Sequence, residues 1–343
     1  MTGSVPGQIT ARRWQQAELI GEIPPDQITT WLATPGALVW VDLCAPDPDQ
    51  LARLAEQLGL DPLAVEDAVA GERVKLSRHQ RHLLVTSFAT RIESAADEGE
   101  HRSRLVTTQV SAFVLPRGLV TVRQADSFTV SAVLDRWQAN SDLLRYGVLA
   151  LLHGLLDEIV DGQITTIEQL DEVVEELEEQ LFAPGLAHPT QQQIYRLRRE
   201  LADLRRVVLP MREVVSSLLR RRLLGLLPDE EQPVEPAAAL DGWLEDLYDH
   251  VLWAQERTEA LRDMVSGLFE THLALQDARL NTVMKKLAGW AAVIAVPTAV
   301  TGWFGQNVPY PGFSTASGLW QSVIVIVVAT VTLYLVLRRY DWI

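Results

Sequence analysis

The sequence contains a single cysteine, Cys44, which excludes an intrachain disulfide framework or a cysteine-based zinc site and fits a reducing cytosol. It also lacks the Gly-x-x-x-x-Gly-Lys-Ser/Thr loop that binds nucleotide phosphates. No spacing of nucleophiles, histidines or carboxylates indicates catalysis. Residues 1–10 have no apolar core of the kind found in secretory signals. These absences predict a protein that is not an enzyme, is not secreted and has no cofactor.

Positive charge is also scarce. The formal net charge is −15 at pH 7, and it belongs almost wholly to the residues before Leu287. Because contacts with phosphates require a basic surface, this balance argues against a nucleic-acid partner. An acidic surface is compatible with cations as ligands, although solubility alone is a sufficient reason for it.

Charged side chains disappear near the end of the chain. No Asp, Glu, Lys or Arg occurs from Leu287 to Leu337, although these residues form 22% of the sequence. A charge-free segment of this length is long enough for two membrane spans, which we predict at about 287–304 and 319–337. A span of 19 residues is about 28 Å long, enough for the hydrocarbon core of a bilayer.

Positive residues flank the two predicted spans on one side only. They are Lys285 and Lys286 before the first span, and Arg338 and Arg339 at the start of the basic tail 338–343. The connecting loop, residues 305–318, has no Lys or Arg. The positive-inside rule therefore predicts a multi-pass protein of the bacterial inner membrane, with both chain ends in the cytoplasm and the loop in the periplasm.

Residues 1–145 predict a cytoplasmic domain of mixed α and β structure. Four apolar runs are typical of strands: 37–43, 82–90, 106–115 and 119–123. Asp47-Pro48 and Asp61-Pro62 each place a proline at the first position of a predicted helix. The order of the strands in a sheet cannot be read from these patterns.

Residues 146–236 predict two helices of opposite charge. The first is acidic and ends near Phe182, whereas the second, Gln191 to Leu224, is rich in arginine. Opposite charges on helices joined by a short loop favour an antiparallel hairpin with ion pairs along its length, although each exposed pair contributes only about 0–1 kcal/mol. The acidic surplus could instead hold cations.

Residues 237–304 predict one long helix that continues into the first span, because nothing breaks a helix there until Pro297. At this length, about 100 Å, it needs neighbours that a symmetric oligomer would supply. Small or polar residues recur at three- and four-residue spacing and share one face, which either packs against another helix or lines a water-filled path. They are Asn281, Met284, Ala288, Ala291, Ala295, Thr298 and Gly302. His250 and His272 have no His or Glu four positions away, as known zinc motifs have, and are predicted to be packing or surface residues.

Gly305-Gln306-Asn307, at the outer end of the first predicted span, resembles the Gly-x-Asn signature of the CorA-like divalent metal ion transporters. Further motifs similar to those of that family occur in the same order and at near-family spacing. They are residues 60–68, 204–213, 246–250, 261–268, 281–287 and 297–298. The resemblance extends over nearly the whole chain.

The resemblance implies an α+β cytoplasmic domain, long helices and a two-helix C-terminal transmembrane hairpin, assembled as a homopentameric funnel in the lipid bilayer. It places Gly305, Gln306 and Asn307 at the pore mouth. Five Asn307 amide oxygens would bind the hydration shell of Mg²⁺, an ion that sheds water reluctantly. The implied conduit residues are Thr298, Ala295, Ala291, Leu287, Met284 and Asn281. Among these, Met284 and Leu287 would form an apolar constriction that gates by dewetting.

The resemblance also implies cytoplasmic regulation by divalent cations. Asp246 matches a position where metal bridges neighbouring subunits, with Glu93 or Asp97 as its partner, and Glu270 matches an acidic position at the inner pore mouth. Bound metal would screen the repulsion between carboxylates and favour a closed state.

Four features depart from the pattern of magnesium-transporting members. Gln306 stands in place of Met, the loop 308–312 carries no Glu, Ala295 is small, and Pro297 lies one position late. These features resemble ZntB-like branches and leave Mg²⁺, Co²⁺, Ni²⁺ or Zn²⁺ as the transported ion, with proton coupling also open. The predicted function is divalent-cation transport. The alternative is a membrane-anchored scaffold or metal sensor, which would not need Asn307 and Thr298.

Overall fold

The computed structural model describes residues 7, 9–71, 73–94, 103–182, 191–220, 238–306 and 309–343. The chain divides into two compact units, Met1–Ser266 and Gly267–Ile343.

The first unit contains a seven-stranded sheet. Its strands are β1 (Ile9–Gln15), β2 (Glu18–Glu22), β3 (Ala37–Cys44), β4 (Lys75–Arg78), β5 (Leu83–Ser94), β6 (Ser103–Leu115) and β7 (Gly118–Arg123). Their order is β2-β1-β3-β7-β6-β5-β4. Every neighbouring pair is antiparallel except β3 and β7, which are parallel. The four predicted strands are confirmed as β3, β5, β6 and β7, whereas β1, β2 and β4 were not predicted.

Helices account for most of the remaining described residues. They are α1 (Ile28–Ala33), α2 (Pro48–Leu58), α3 (Pro62–Ala70), α4 (Val130–Ala139), α5 (Val148–Phe182), α6 (Gln191–Val208), α7 (Met211–Leu219), α8 (Ala238–Phe304) and α9 (Ala316–Arg339). Short 3-10 helices lie at Pro25–Gln27 and Ser141–Tyr146. The α+β architecture followed by long helices agrees with the predicted fold class.

The two predicted proline-led helices begin as expected. Asp47 and Asp61 occupy the N-cap positions of α2 and α3, and the Asp61 carboxylate accepts a hydrogen bond of 2.9 Å from the backbone N–H of Leu63. This bond satisfies one of the donors that the first turn of a helix leaves free. α2 ends at Gly59, whose φ of 65° is the left-handed conformation that glycine adopts without strain.

The sheet is covered on both faces, and this explains why β3 is buried along its whole length. Val39 and Val41 share a hydrophobic cluster with Leu54 of α2 and Ala64 of α3. Between them, Trp40 points to the other face, where its ring lies 5.2 Å from that of Trp137 in α4. Successive side chains of a strand alternate between faces, so a strand with helices on both sides reads as a continuous hydrophobic run.

A buried ion pair joins the two parallel strands. Arg123 of β7 donates to Asp42 of β3, with 2.7 Å between Nη2 and Oδ2, and the Arg123 side chain is only 1% exposed. The Thr121 hydroxyl donates to the same carboxylate at 2.6 Å, and the carbonyl of Phe128 accepts from Arg123 Nη1 at 2.8 Å. These polar groups satisfy one another in the interior, as burial requires.

The predicted continuous helix from Gln191 to Leu224 is wrong. α6 ends at Val208, and α7 begins at Met211 after Leu209 and Pro210. Proline has no N–H to donate and disfavours the helical conformation of the residue before it, so it separates the two helices. Residues 221–224 lie outside the described residues.

Ion pairing between the acidic and basic helices is not found among the described residues. The acidic helix α5 pairs through Asp171 with Arg257 of α8, and Arg205 of α6 pairs with Glu259 of α8 at 2.5 Å. Both helices therefore form ion pairs with α8, in which Arg257 and Glu259 are two positions apart.

The second unit contains the end of α8, the loop and α9. α8 and α9 are the two described helices that are long and apolar enough to cross a membrane. Glycines permit close approach here: a Cβ at Gly289 would lie 2.9 Å from Ile343 Cγ1, and one at Gly318 would lie 2.3 Å from the Gly312 carbonyl oxygen. α8 continues as a helix through Pro297.

Candidate ion pathway and carboxylate cluster

The predicted conduit residues of α8 are exposed within their own chain. Met284 is 62% exposed and Leu287 is 64% exposed. The other described residues that were predicted to line the pathway are exposed as well: Asn281, Ala291, Ala295 and Thr298 of α8, and Gly305 and Gln306 after it. Large apolar side chains without intrachain cover indicate a surface that meets lipid or other subunits.

The covered face of α8 in the second unit lies opposite these residues. Between 281 and 306, the buried or half-buried residues are Gly289, Val293, Val296, Pro297, Val300 and Phe304. At about 100° per residue, the centre of this face is roughly 180° from the centre of the predicted conduit residues of α8. We call these residues the conduit stripe: Asn281, Met284, Leu287, Ala291, Ala295 and Thr298. The stripe therefore lies at the middle of the wide exposed surface of the helix, which also includes Val283, Ile294 and Trp303.

Gly305 ends the helix at the signature motif. Its N–H donates to the carbonyl of Thr301 at 2.8 Å, and a Cβ at this position would lie 2.9 Å from that oxygen. The Tyr310 hydroxyl donates to the carbonyl of Phe304 at 3.4 Å and so satisfies one acceptor at the helix end. Asn307, the predicted filter residue, lies outside the described residues.

Three of the residues predicted to bind regulatory metal are exposed carboxylates: Asp246, Glu270 and Glu93. Asp246 lies on α8 in the first unit, and Glu270 lies on α8 in the second unit. Glu93 lies near the end of β5 and pairs with Arg91. Asp97 lies outside the described residues. Neither Asp246 nor Glu93 belongs to the group that could hold a metal ion within the described part of this chain.

That group consists of Asp157 and Asp161 of α5 and His250 of α8. One ligand atom from each residue lies within 4.8 Å of the other two. The Nδ1 atom of His250 is 3.9 Å from Asp161 Oδ1 and has no hydrogen-bond partner. Two carboxylates and an imidazole are ligands that divalent transition metals accept.

A fourth side chain reaches into the same group. Arg136 of α4 donates through Nη1 to Asp157 and through Nη2 to Asp161 at 2.6 Å and to Glu158 at 2.9 Å. Burial opposes the charge of Arg136, but the hydrogen bond to Asp161 and the charge of Asp157 outweigh it and raise the pKa of the guanidinium. The cluster therefore already contains a permanent cation.

A buried imidazole lies beside this cluster. His153 of α5 is 4% exposed, and its Nε2 is 3.1 Å from the carbonyl oxygen of Trp243. Burial lowers the pKa of His153, although the negative charges of Asp157 and Asp246 act in the opposite direction.

The sequence signalled only part of this arrangement. Asp157 and Asp161 are one helical turn apart and so share a face, which their spacing indicates. His250 was predicted to be a packing or surface residue because no His or Glu stands four positions from it. Its neighbours in the cluster come from another helix, and Arg136 comes from a third, so no local spacing could identify them.

The family model described as CorA-like Mg²⁺ transporter protein matches residues 35–339. The chain is 27% identical over 264 residues to the cobalt/magnesium transport protein CorA of Thermotoga maritima, covering 76% of this chain and 70% of that protein. It is also 27% identical over 327 residues to the zinc transport protein ZntB of Yersinia enterocolitica, covering 94% of this chain and 92% of that protein.

A solved structure shares the fold over its full length. The CorA magnesium transporter from Methanocaldococcus jannaschii aligns with a TM-score of 0.73 and 21% identity, covering 99% of each chain. The family match begins just before β3, in the sheet of the first unit, and extends to the last residue of α9. The chain therefore belongs to the family of CorA-like Mg²⁺ transporter proteins.

Proposed function

We propose that this protein is a subunit of a divalent-cation transporter in the bacterial inner membrane, with both chain ends in the cytoplasm. The observation that carries the proposal is the conduit stripe of α8, which is exposed and opposite the covered face of the same helix. In a ring of subunits, such a stripe can face a common axis. Family resemblance supports five subunits in that ring.

The selectivity filter in this proposal is Gly305-Gln306-Asn307. Amide oxygens from Asn307 of each subunit would bind the hydration shell of the ion at the outer mouth, because Mg²⁺ prefers oxygen and gives up water reluctantly. The nearby C-terminal end of the α8 helix adds carbonyl groups and the negative end of the helix dipole. Both features favour cations over anions at this position.

Below the filter, Met284 and Leu287 form the proposed gate. Their exposed apolar side chains would meet those of the other subunits and expel water from a narrow pore. Transport then needs no nucleotide, and the membrane potential contributes about 2.3 kcal/mol per charge per 100 mV to the entry of cations. An inside-negative potential therefore drives uptake.

Cytoplasmic metal at Asp246 is the proposed regulator. Asp246 is exposed in the single chain and is therefore available to a neighbouring subunit, whose Glu93 or Asp97 would complete the site. Metal bound there would hold the subunits in a closed arrangement, and Glu270 would concentrate cations at the inner mouth.

The choice among Mg²⁺, Co²⁺, Ni²⁺ and Zn²⁺ is best tested by flux. We would reconstitute the full chain in proteoliposomes and measure the uptake of each ion with and without a pH gradient. Uptake of Mg²⁺ or Co²⁺ with voltage alone supports the channel proposal. Zn²⁺ uptake that requires a proton gradient would instead support a proton-coupled zinc transporter on the same fold.

The Asn307→Ala variant tests the filter itself. We expect normal folding and assembly with strongly reduced flux. The matched control is Ser322→Ala in α9, whose hydroxyl bonds the carbonyl of Leu319 in its own helix; its flux should be unchanged. Normal flux through a correctly assembled Asn307→Ala protein would contradict the filter, and no flux of any ion through the wild type would favour a membrane-anchored sensor.

A further inference from the structure

The cluster of Asp157, Asp161 and His250 has the composition of a divalent-metal site, but an arginine occupies it. Arg136 contacts both aspartates of the cluster, together with the adjacent Glu158. Its guanidinium uses Nη1 for Asp157, Nη2 for Asp161 and Glu158, and Nε for Glu158 at 3.3 Å. The same two carboxylates that would bind a metal ion, Asp157 and Asp161, therefore already accept hydrogen bonds from a cation.

We propose that Arg136 is a built-in cation that takes the place of a divalent ion in this cluster, and that the cluster binds divalent cations only when Arg136 is removed. The inference concerns the first unit and is independent of the proposed transport. It assigns to Arg136 a structural role that a bound metal would otherwise fill.

Charge and geometry support this exclusion. A divalent ion held by Asp157, Asp161 and His250 would share two carboxylates with the guanidinium, so two cations would stand within a few ångströms of each other at an incompletely solvated site. Arginine remains charged at every physiological pH and is attached to the chain, so free metal must compete against a very high local concentration of this cation.

The three carboxylates that Arg136 contacts differ in their exposure to water. The side chain of Asp157 is 13% exposed, whereas those of Glu158 and Asp161 are 24% and 41% exposed. Water screens charge at the outer pair, while Asp157, the most buried of the three, needs a close partner. The guanidinium of Arg136, which reaches Asp157, therefore stabilises the cluster without metal.

The test is thermal unfolding of the purified full chain in detergent, followed by the fluorescence of its 10 tryptophans. In EDTA, we expect Arg136→Gln to lower the Tm by about 5–10 °C, because it leaves a buried carboxylate without its partner. Addition of Mg²⁺ or Co²⁺ alone should recover at least half of that loss. The recovery should disappear in the double variant Arg136→Gln/Asp161→Asn.

Two controls separate this cluster from other metal sites. Wild type and Asp161→Asn should gain the same Tm from added metal, because the cluster binds none while Arg136 is present. Arg205→Gln removes the exposed pair with Glu259 and should create no metal response of its own. Binding of metal at Asp246 raises the Tm of all these variants alike and so cancels in the comparison.

Two results would overturn the proposal. One is an Arg136→Gln protein that gains no more from metal than the wild type. The other is a wild-type metal response that Asp161→Asn abolishes, since the cluster would then bind metal with Arg136 in place. If Arg136→Gln does not fold, the comparison of wild type with Asp161→Asn still tests the proposal, because both proteins keep Arg136. Arg136→Lys can then replace Arg136→Gln, since lysine keeps the positive charge but has fewer directed donors.

Discussion

Leu287→Asn is expected to open the proposed gate while the subunit stays folded. Complete burial of a leucine side chain contributes about 1.5–3 kcal/mol, but Leu287 is 64% exposed within its own chain. Only about a third of that free energy, roughly 0.5–1 kcal/mol, is available for the subunit to lose. The substitution is therefore mild for the folding of one chain.

The effect on flux should be much larger, because the substitution occurs once in each subunit around one pore. A ring of amides retains water where a ring of leucines expels it, so the barrier to ion passage falls. A decrease of about 1.4 kcal/mol in that barrier raises the rate tenfold, and we expect at least this increase. The assay is Mg²⁺ uptake into proteoliposomes under a fixed membrane potential, with the ion indicator inside.

Two controls define what the result means. Leu287→Met keeps an apolar side chain of similar volume and should keep the gate closed. Val327→Asn introduces the same amide at a comparably exposed position of α9, 54% exposed, and should not raise the flux. Unchanged flux through an assembled Leu287→Asn protein, or an equal rise in the Val327 variant, would refute the gate.

Three further predictions concern the first unit, residues 1–266. Asp42→Asn removes the carboxylate charge that pairs with the buried Arg123 at 2.7 Å and should lower the free energy of unfolding by about 3–5 kcal/mol, as chemical denaturation would measure; a loss below about 1 kcal/mol would contradict this. Gly154→Val should also destabilise the fold, by at least about 1–3 kcal/mol, because a Cβ at Gly154 would lie 2.5 Å from Nε1 of Trp137; a Tm equal to wild type would show that the ring moves freely. His82 is buried, and burial lowers its pKa below 6.5. The stability that neutral His82 provides is therefore present above about pH 6.5 and is lost as pH falls through its lowered pKa, so His82→Leu should reduce the fall in Tm on acidification; an unchanged pH profile would exclude this role.

Features of the fold with local causes could be predicted from the sequence. The Asp-Pro pairs before α2 and α3 fix a cap and a first helical position by themselves, so both helices begin where expected. The edge strands could not be predicted, because β2 is largely exposed and β4 contains Lys, Ser and Arg. Neither carries the apolar run by which a buried strand such as β3 is recognised.

The same division holds for the candidate sites. The conduit stripe follows helical periodicity, so a single helix reveals it, and the structure adds that the stripe lies opposite the covered face of α8. The choice of ion-pair partners is not local. The arginines of α6 were predicted to pair with α5, but Asp157 and Asp161 pair with Arg136 of α4. No sequence pattern around Arg136 identifies it as their partner.

The parallel pairing of β3 with β7 has a consequence for synthesis of the chain. Asp42 and Arg123 are 81 positions apart, so at about 5–20 residues per second a ribosome needs roughly 4–16 s to make the second partner after the first. During this interval β3 has an unpaired edge that invites association with other chains. Shortened chains that stop before Gly118 would lack the strand that covers this edge, whereas the sheet of the first unit can form completely before either apolar helix of the second unit leaves the ribosome.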